Sequence, residues 1–329
     1  MGVRVAGIGA YVPDRAMTNA ELATRVDTSN EWIVSKTGIR ERRLSELREA
    51  PSDMGYKAAL RCLSNSGVKG SSVDLIVVAC ATPDQSQPAV ACMIQDKLGL
   101  AEHECPAFDV NSVCAGFVFA LNVAQSMMLA APRKFRNALV IGTDAFSKIL
   151  NWDDRRTCIF FGDGAGAVLL SQTDAHEGRI HFQLGSDGRG RHCIEVPAGG
   201  TRMPVSAEVL QKRLDKFTMD GPKVWEFAMR TVPRVIRSLL AEHGLSPADL
   251  DLLVFHQSNL RMIEALMSLL ELSMERTITT IEHFGNTAAA SIPLTLQKAW
   301  ELGRLRPGSR VLLCGFGGGL SWGAALLQW

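Results

Sequence analysis

Three side chains in this sequence are of the types that together carry out acyl transfer: a cysteine, a histidine and an asparagine. Each stands at the boundary of an apolar run, His256 after one and Cys114 and Asn286 before one. Cys114 lies in PAFDVNSVCAGFVFALNVAQSMM. Residues 107–111 read as a short strand, and from Ala115 the pattern is helical, apolar and rich in small residues, the signature of a buried helix. Cys114 then falls at a strand-to-helix junction, where unpaired N–H groups and the positive end of the helix dipole favour thiolate over thiol. A thiolate is the nucleophile that covalent acyl transfer requires. A free cysteine is ordinarily a small buried hydrophobe, and that reading suits Cys62, Cys80, Cys92, Cys105, Cys158, Cys193 and Cys314. Cys114 differs in its setting and in having partners elsewhere.

His256, in FHQSNLRM, follows a buried strand and opens a helix. Open α/β sheets place functional groups there, outside the carboxyl ends of strands, although a lone histidine at such a point is more often structural. Asn286 lies in EHFGNTAAASIP, where Gly285-Asn286 is a turn dipeptide. A turn asparagine is the ordinary reading in isolation. His103, His176, His181, His192, His243 and His283 have no comparable setting and read as surface or loop residues.

The elements that must hold these residues recur. VDLIVVACAT (73–82) follows a helical stretch ending at Gly67, and LDLLVFHQSN (250–259) follows one ending at Gly244. NALVIGTDA (137–145) is matched by SRVLLCGFGGG (309–319). Continuous Val/Ile/Leu strands suit sheets covered on both faces. Two copies of one α/β unit are expected, with a boundary near residue 172. Residues 185–222 read as loops with a short helix around Ala207 to Lys216.

The 329 residues suffice for two domains, and 47% hydrophobic with 21% charged residues is ordinary globular composition. A formal charge of +1 gives no global field toward nucleic acid or an anionic membrane. The N-terminus lacks a signal-peptide pattern. An uninterrupted apolar or small stretch such as Cys114 to Leu121 falls short of the roughly 18 residues of a membrane span. No CxxC or Cys/His cluster has metal spacing; free thiols in a reducing cytoplasm are expected. GIGAYVP, FGDGAGAVLL and GFGGGLSWG lack the context of a dinucleotide fingerprint and the GK[ST] of a phosphate loop, so they read as tight turns.

Taken in order, TSNEWIVSKTGIRERR, FDVNSVCAGFVFAL, FGDGAGAVLL, HQSNLRM, GNTAAASIP and GFGGGLSWGAALL span nearly the whole chain. In this the sequence resembles β-ketoacyl-acyl carrier protein synthase III. The resemblance implies an α/β thiolase fold of five αβαβα layers built from two similar halves, 1–172 and 173–329, and a cytoplasmic homodimer. It implies Cys114, His256 and Asn286 as catalytic residues, with an oxyanion hole from the backbone N–H groups of Cys114 and Gly318. Coenzyme A would place its adenine between Trp32 and Arg155, with Lys36 and Arg261 as further contacts. An acyl carrier protein, housekeeping or dedicated, would meet Gln257, Ser258, Asn259, Leu260 and Arg261. Gln87, Phe146 and Phe316 would shape the acyl pocket. Acyl-coenzyme A is a substrate, and no cofactor or metal is expected.

The implied reaction is decarboxylative condensation of an acyl-coenzyme A primer with a malonyl thioester, initiating fatty-acid synthesis. A neutral His256 would donate from Nε2, with Asn286, to the thioester oxygen. Some positions depart from the family pattern. Glu226, Ser268 and Leu269 stand where lysines assist carrier docking, which weakens electrostatic steering. Lys36 stands for a frequent arginine, of different phosphate geometry, and a polar Gln87 for a common aromatic. A degradative thiolase would need a second cysteine at Gly315; Cys314 is one residue off, which on a strand means the opposite face, and GNT replaces the GHP of that group. A papain-like hydrolase shares the Cys…His…Asn order but not the residues around its cysteine. A non-catalytic binding subunit is disfavoured because every catalytic position is filled. A starter-unit enzyme or acyltransferase of quinolone or polyketide type is the remaining alternative.

Overall fold

The computed structural model describes residues 2–173 and 178–329; His176 lies outside them. One sheet runs Gly2–Tyr11, Asp163–Thr173, Asn137–Ala145, Leu75–Ala79, Ala107–Val110 across its width. Leu75–Ala79 is parallel to both its neighbours, and Asp163–Thr173 is antiparallel to both of its own. The second sheet runs Leu252–Phe255, Arg310–Gly317, Ser321–Gln328, His181–Ser186, with one parallel pairing and then two antiparallel ones. That repeats the order from Leu75–Ala79 to Gly2–Tyr11. A parallel bridge between Leu253 and Thr277 sits where Ala107–Val110 pairs in the first sheet. The echo between 73–82 and 250–259 is thus an echo of strand position.

Strand alternation sorts the core into layers. Leu75, Val77 and Ala79 face the middle of the molecule, as do Leu252 and Val254, and all pack on the helices Gly116–Ala130 and Ser291–Glu301 through Phe117, Leu121, Ile292 and Leu296. Ile76 and Val78 face outward onto Met54, Ala58 and Cys62 of the helix Pro51–Ser66. Leu253 and Phe255 face outward onto the helices Gly221–Ala241 and Leu260–Leu269. The result is helix, sheet, helix pair, sheet, helix: an αβαβα stack. Both faces of each sheet are covered, which is why the strands read as unbroken apolar runs. The middle helices are the most enclosed; Leu121→Ala there would cost about 2–5 kcal/mol.

By length and mean composition, Val113–Ala130 is apolar enough to cross a bilayer; in the structure it packs between the two sheets. One expectation is corrected. Residues 185–222 are more ordered than loops. His181–Ser186 is an edge strand, and a helix covers only Ala207–Gln211 before Arg213 turns left-handed at φ 57°. The glycine at 185 belongs to that strand because the Trp322 indole lies over it; a Cβ there would meet the ring at 2.4 Å.

Candidate active site

A cavity of about 330 Å³ opens between the two halves, and Cys114, His256, Asn286 and Phe316 all line it. Cys114 is the middle residue of a 3₁₀ turn, Val113–Ala115, that runs into the helix at Gly116. Val113 is held at φ 44°, a left-handed conformation that is costly for a β-branched residue. The Gly-rich C-terminal strand end closes over this turn. A Cβ on Gly317 would meet Cys114 Cβ at 2.7 Å and Sγ at 3.0 Å, so only glycine lets the backbone come this close. The backbone N–H groups of Cys114 and Gly318 both face Sγ. Gly315 faces the Cys114 turn, while Cys314 points into the outer helical layer; among the described residues no second thiol lines the cavity.

His256 ends the strand Leu252–Phe255, its N–H bonded to Cys314 O at 2.8 Å. Its ring is buried edge-on against Phe316, centroids 5.7 Å apart, and Nδ1 is 2.7 Å from Ser291 Oγ. Asn286 is fixed by backbone: its N–H donates to Phe160 O at 2.8 Å, and its own O accepts from Gly162 N at 3.1 Å. Gly285, at φ 70° with Phe160 O only 2.8 Å from where a Cβ would stand, makes that approach possible. Asn286 Oδ1 accepts from Ala288 N at 3.0 Å. The amide NH₂ is therefore the polar end left for the cavity.

Burial dominates the electrostatics. It pushes the Cys114 thiol far above its usual range; the charge of Asp144 adds to this, and the two facing N–H groups only partly oppose it. The expected resting thiolate is corrected accordingly: a dipole contribution of about 0.3–1 kcal/mol does not offset the desolvation of a fully buried anion. Burial likewise lowers His256 to about 3, so its ring is neutral at pH 7. Asp144, at the end of Asn137–Ala145, is raised to about 6 by burial, against donors from Ala81, Ala289 and Thr82. Its Oδ1 holds Ala81 N at 2.8 Å and Thr82 Oγ1 at 2.8 Å, and its Oδ2 holds Ala289 N at 3.0 Å. It thereby ties the loop after Leu75–Ala79 to the turn that follows Asn286. Nothing in its local sequence marks it.

Known proteins share this architecture over the full chain. The family model for the 3-oxoacyl-[acyl-carrier-protein] synthase III region matches residues 108–188, and that for its C-terminal region matches 240–329. β-Ketoacyl-[acyl-carrier-protein] synthase III of Clostridium acetobutylicum is 42% identical over 329 residues, covering 99% of this chain and 98% of that protein. The chain belongs to the synthase III family. A crystal structure of the Aquifex aeolicus 3-oxoacyl-[acyl-carrier-protein] synthase III superposes with TM-score 0.91 at 34% identity, covering all of both chains. The priming β-ketosynthase of the R1128 polyketide pathway superposes at 0.90 with 32% identity, covering 99% of this chain and 96% of that one. The chain is thus an acyltransferase-type condensing enzyme with a thiolase fold.

The remaining synthase III positions divide. Lys36, Ser258 and Asn259 reach the cavity mouth, and Phe146 lies deeper, stacked on Phe161 at 4.9 Å, with Phe217 edge-on to both. Phe161 and Phe217 were not singled out in the sequence; Phe161 sits in the FGDGAG turn, where glycine drew the attention. Trp32 and Arg155 come together, but the guanidinium rests on the indole itself at 5.1 Å and donates to Asp27 O at 2.6 Å. A base between them would need roughly 7 Å, two contacts of about 3.5 Å, more than this contact leaves. Arg261 is held by Glu264 through two bonds of 2.8 and 2.9 Å and by the carbonyls of Ser35 and Val34.

Two positions are not where the sequence reading put them. Gln257 is fully buried, donating to Phe255 O and accepting from Thr280 N, so its side chain offers no docking surface. Gln87 lies exposed on the loop before Val90–Lys97 and does not reach the cavity of its own chain. Leu260 packs against the cluster around Ile33 and Ile39. Among the described residues no group of three His, Cys, Asp or Glu is placed to hold a metal ion.

Proposed function

We propose that Cys114 carries the primer acyl group in a decarboxylative condensation of acyl-coenzyme A with malonyl-acyl carrier protein. The observation behind this is that Cys114, His256 and Asn286 line one cavity, with the N–H groups of Cys114 and Gly318 facing Sγ. Sγ attacks the primer thioester carbonyl, and the two N–H groups hold the tetrahedral oxyanion. The C–S bond to coenzyme A breaks and the acyl group stays on Sγ. The malonyl thioester then enters; His256 and Asn286 donate to its carbonyl oxygen as carbon dioxide leaves. The enolate carbon attacks the Cys114 thioester, the bond to Sγ breaks, and a β-ketoacyl thioester departs.

In this reading residues 1–172 supply the nucleophile and 173–329 the groups that act on malonate. Trp32, Lys36, Arg155 and Arg261 receive coenzyme A, and Phe146 and Phe316 border the acyl group. The Ala107–Val110 edge, paired on one side only and half-buried along its length, is the natural seat of a second copy. The enzyme works in the cytoplasm. A starter-unit role in a dedicated pathway is favoured by one observation: Arg261 is already committed to Glu264. The deciding experiment supplies acyl-coenzyme A primers with malonyl-carrier protein and measures β-ketoacyl product and carbon dioxide. Release of both, lost in Cys114→Ala, is expected; no product from any primer would overturn the reading.

A further inference from the structure

Ser291 opens the second middle helix and is buried. Its Oγ lies 2.7 Å from His256 Nδ1 and 2.8 Å from Ala288 O. A serine hydroxyl has one proton, and a carbonyl oxygen only accepts. If that proton pointed at Nδ1, two unprotonated oxygens would face each other at 2.8 Å. Pointed at Ala288 O, it satisfies that contact and leaves an Oγ lone pair for an N–H on Nδ1, which the Ala288 carbonyl, itself a partner of the His256 ring, also favours. We propose that Ser291 is a positioning residue that fixes His256 as the Nδ1–H tautomer, so that the free Nε2 lone pair serves as the base for the Cys114 thiol. This rests on Cys114 being the acyl carrier, and it reverses the resting tautomer expected from the sequence.

The chemistry needs such a base. The thiol is protonated at rest because it is buried, and the other ionisable group lining the cavity, Lys36, stands exposed at its mouth. As Sγ bonds to the primer carbonyl carbon, its proton moves to Nε2. Coenzyme A leaves as a thiolate and takes a proton from water. Burial returns the ring to its neutral form while the acyl group waits on Sγ, its proton passing to water. When the malonyl carboxylate enters as counter-charge, Nε2 takes a proton from water, and the imidazolium keeps Nδ1–H on Ser291 Oγ and presents Nε2–H to the malonyl thioester oxygen. When the bond to Sγ breaks after condensation, Sγ recovers the proton from Nε2. Each turnover draws one proton from water, which is the proton that decarboxylative condensation consumes.

The test is nitrogen NMR of the full-length protein with ¹⁵N-labelled histidine, His256 being identified by its loss in His256→Ala. Wild type should show Nδ1 as N–H and Nε2 as a bare nitrogen at pH 7. Ser291→Ala, left with the Ala288 carbonyl alone, should populate both tautomers and acylate Cys114 from acetyl-coenzyme A about tenfold more slowly. Ser291→Thr, which keeps the hydroxyl, should retain the tautomer. A wild-type spectrum with the proton on Nε2 overturns the proposal whatever the variants do, as does a Ser291→Ala variant that acylates at the wild-type rate. Failure of wild type to acylate Cys114 at all would instead overturn the functional reading.

Discussion

Val113 and Ala288 hold the same left-handed backbone conformation, φ 44° and 46°, at corresponding points of the two halves. Each is the first residue of a 3₁₀ turn, Val113–Ala115 and Ala288–Ala290, that runs directly into a middle helix. The two turns pack against each other. One carries Cys114. The other follows Asn286, receives its Oδ1 and leads to the Ser291 that meets His256. Duplication of one strand–turn–helix unit therefore accounts for why Cys114, His256 and Asn286 line one cavity between the halves.

Strain at these turns is measurable. Ala to Gly ordinarily costs about 0.5–1 kcal/mol, and a non-glycine residue in the left-handed region costs roughly 1–2 kcal/mol. Ala288→Gly should therefore leave stability unchanged within about 0.5 kcal/mol or raise it. Ala290→Gly, at an ordinary φ of −74°, should lower stability by about 1 kcal/mol. Urea denaturation of both variants checks this; equal losses would mean that Ala288 is unstrained.

The close approach of the C-terminal glycines to Cys114 makes Gly317→Ala a sharp probe. With 2.7 Å to Cys114 Cβ, either the turn or the strand must shift, at about 1–3 kcal/mol. Acylation should fall by at least about tenfold while the circular dichroism spectrum is retained. Acylation at the wild-type rate would show that the strand end yields without disturbing Sγ.

His256 predicts an acid limb in stability. Its folded value is depressed to about 3 from an unfolded 6.5. Between these values the unfolded chain binds a proton that the native chain refuses. Stability from this group is present above pH 6.5 and is lost as pH falls toward 3, by up to about 1.4 kcal/mol per pH unit. His256→Gln should flatten the fall in unfolding free energy between pH 6.5 and 4. An unchanged slope would place the loss elsewhere.

The acceptor side is governed by paired charges. Arg261 is bound to Glu264, Lys223 to Asp220 and Arg230 to Glu226, while Ser268 and Leu269 are exposed where the family pattern has lysines. We predict weak, salt-dependent use of the housekeeping malonyl carrier. Glu264→Gln, and separately Glu226→Lys with Ser268→Lys, should raise kcat/KM for malonyl-carrier protein more than for malonyl-coenzyme A. Efficient, salt-insensitive carrier use by the unmodified protein contradicts this.

The sequence reads well where local pattern decides. His256 ends an apolar run and Cys114 and Asn286 each open one, and the paired runs at 73–82 and 250–259 disclose the doubled fold. It reads poorly where tertiary burial decides. Gln257 is expected at a docking surface because the family resemblance runs through HQSNLRM; that it turns inward to Thr280 N depends on a segment more than twenty residues away. The thiol state of Cys114 follows from the enclosure formed by Gly317, Phe316 and Asp144, none of which its own helix predicts. Ser291 and Asp144 work from behind the reactive groups, and nothing in their spacing announces it.

The most direct test of the central claim is the mass of the intermediate. The protein is incubated with a panel of acyl-coenzyme A primers without malonyl donor, digested and examined by mass spectrometry. We predict one acyl group per chain on the Cys114 peptide, discharged as β-ketoacyl product when malonyl-carrier protein is added, and no acyl group on Cys114→Ala. In Asn286→Ala the acyl group should form but persist, because donation to the malonyl oxygen is lost while attack by Sγ is not. Acyl label on another cysteine, or label on Cys114 that malonyl-carrier protein fails to discharge in the wild type, would contradict the mechanism.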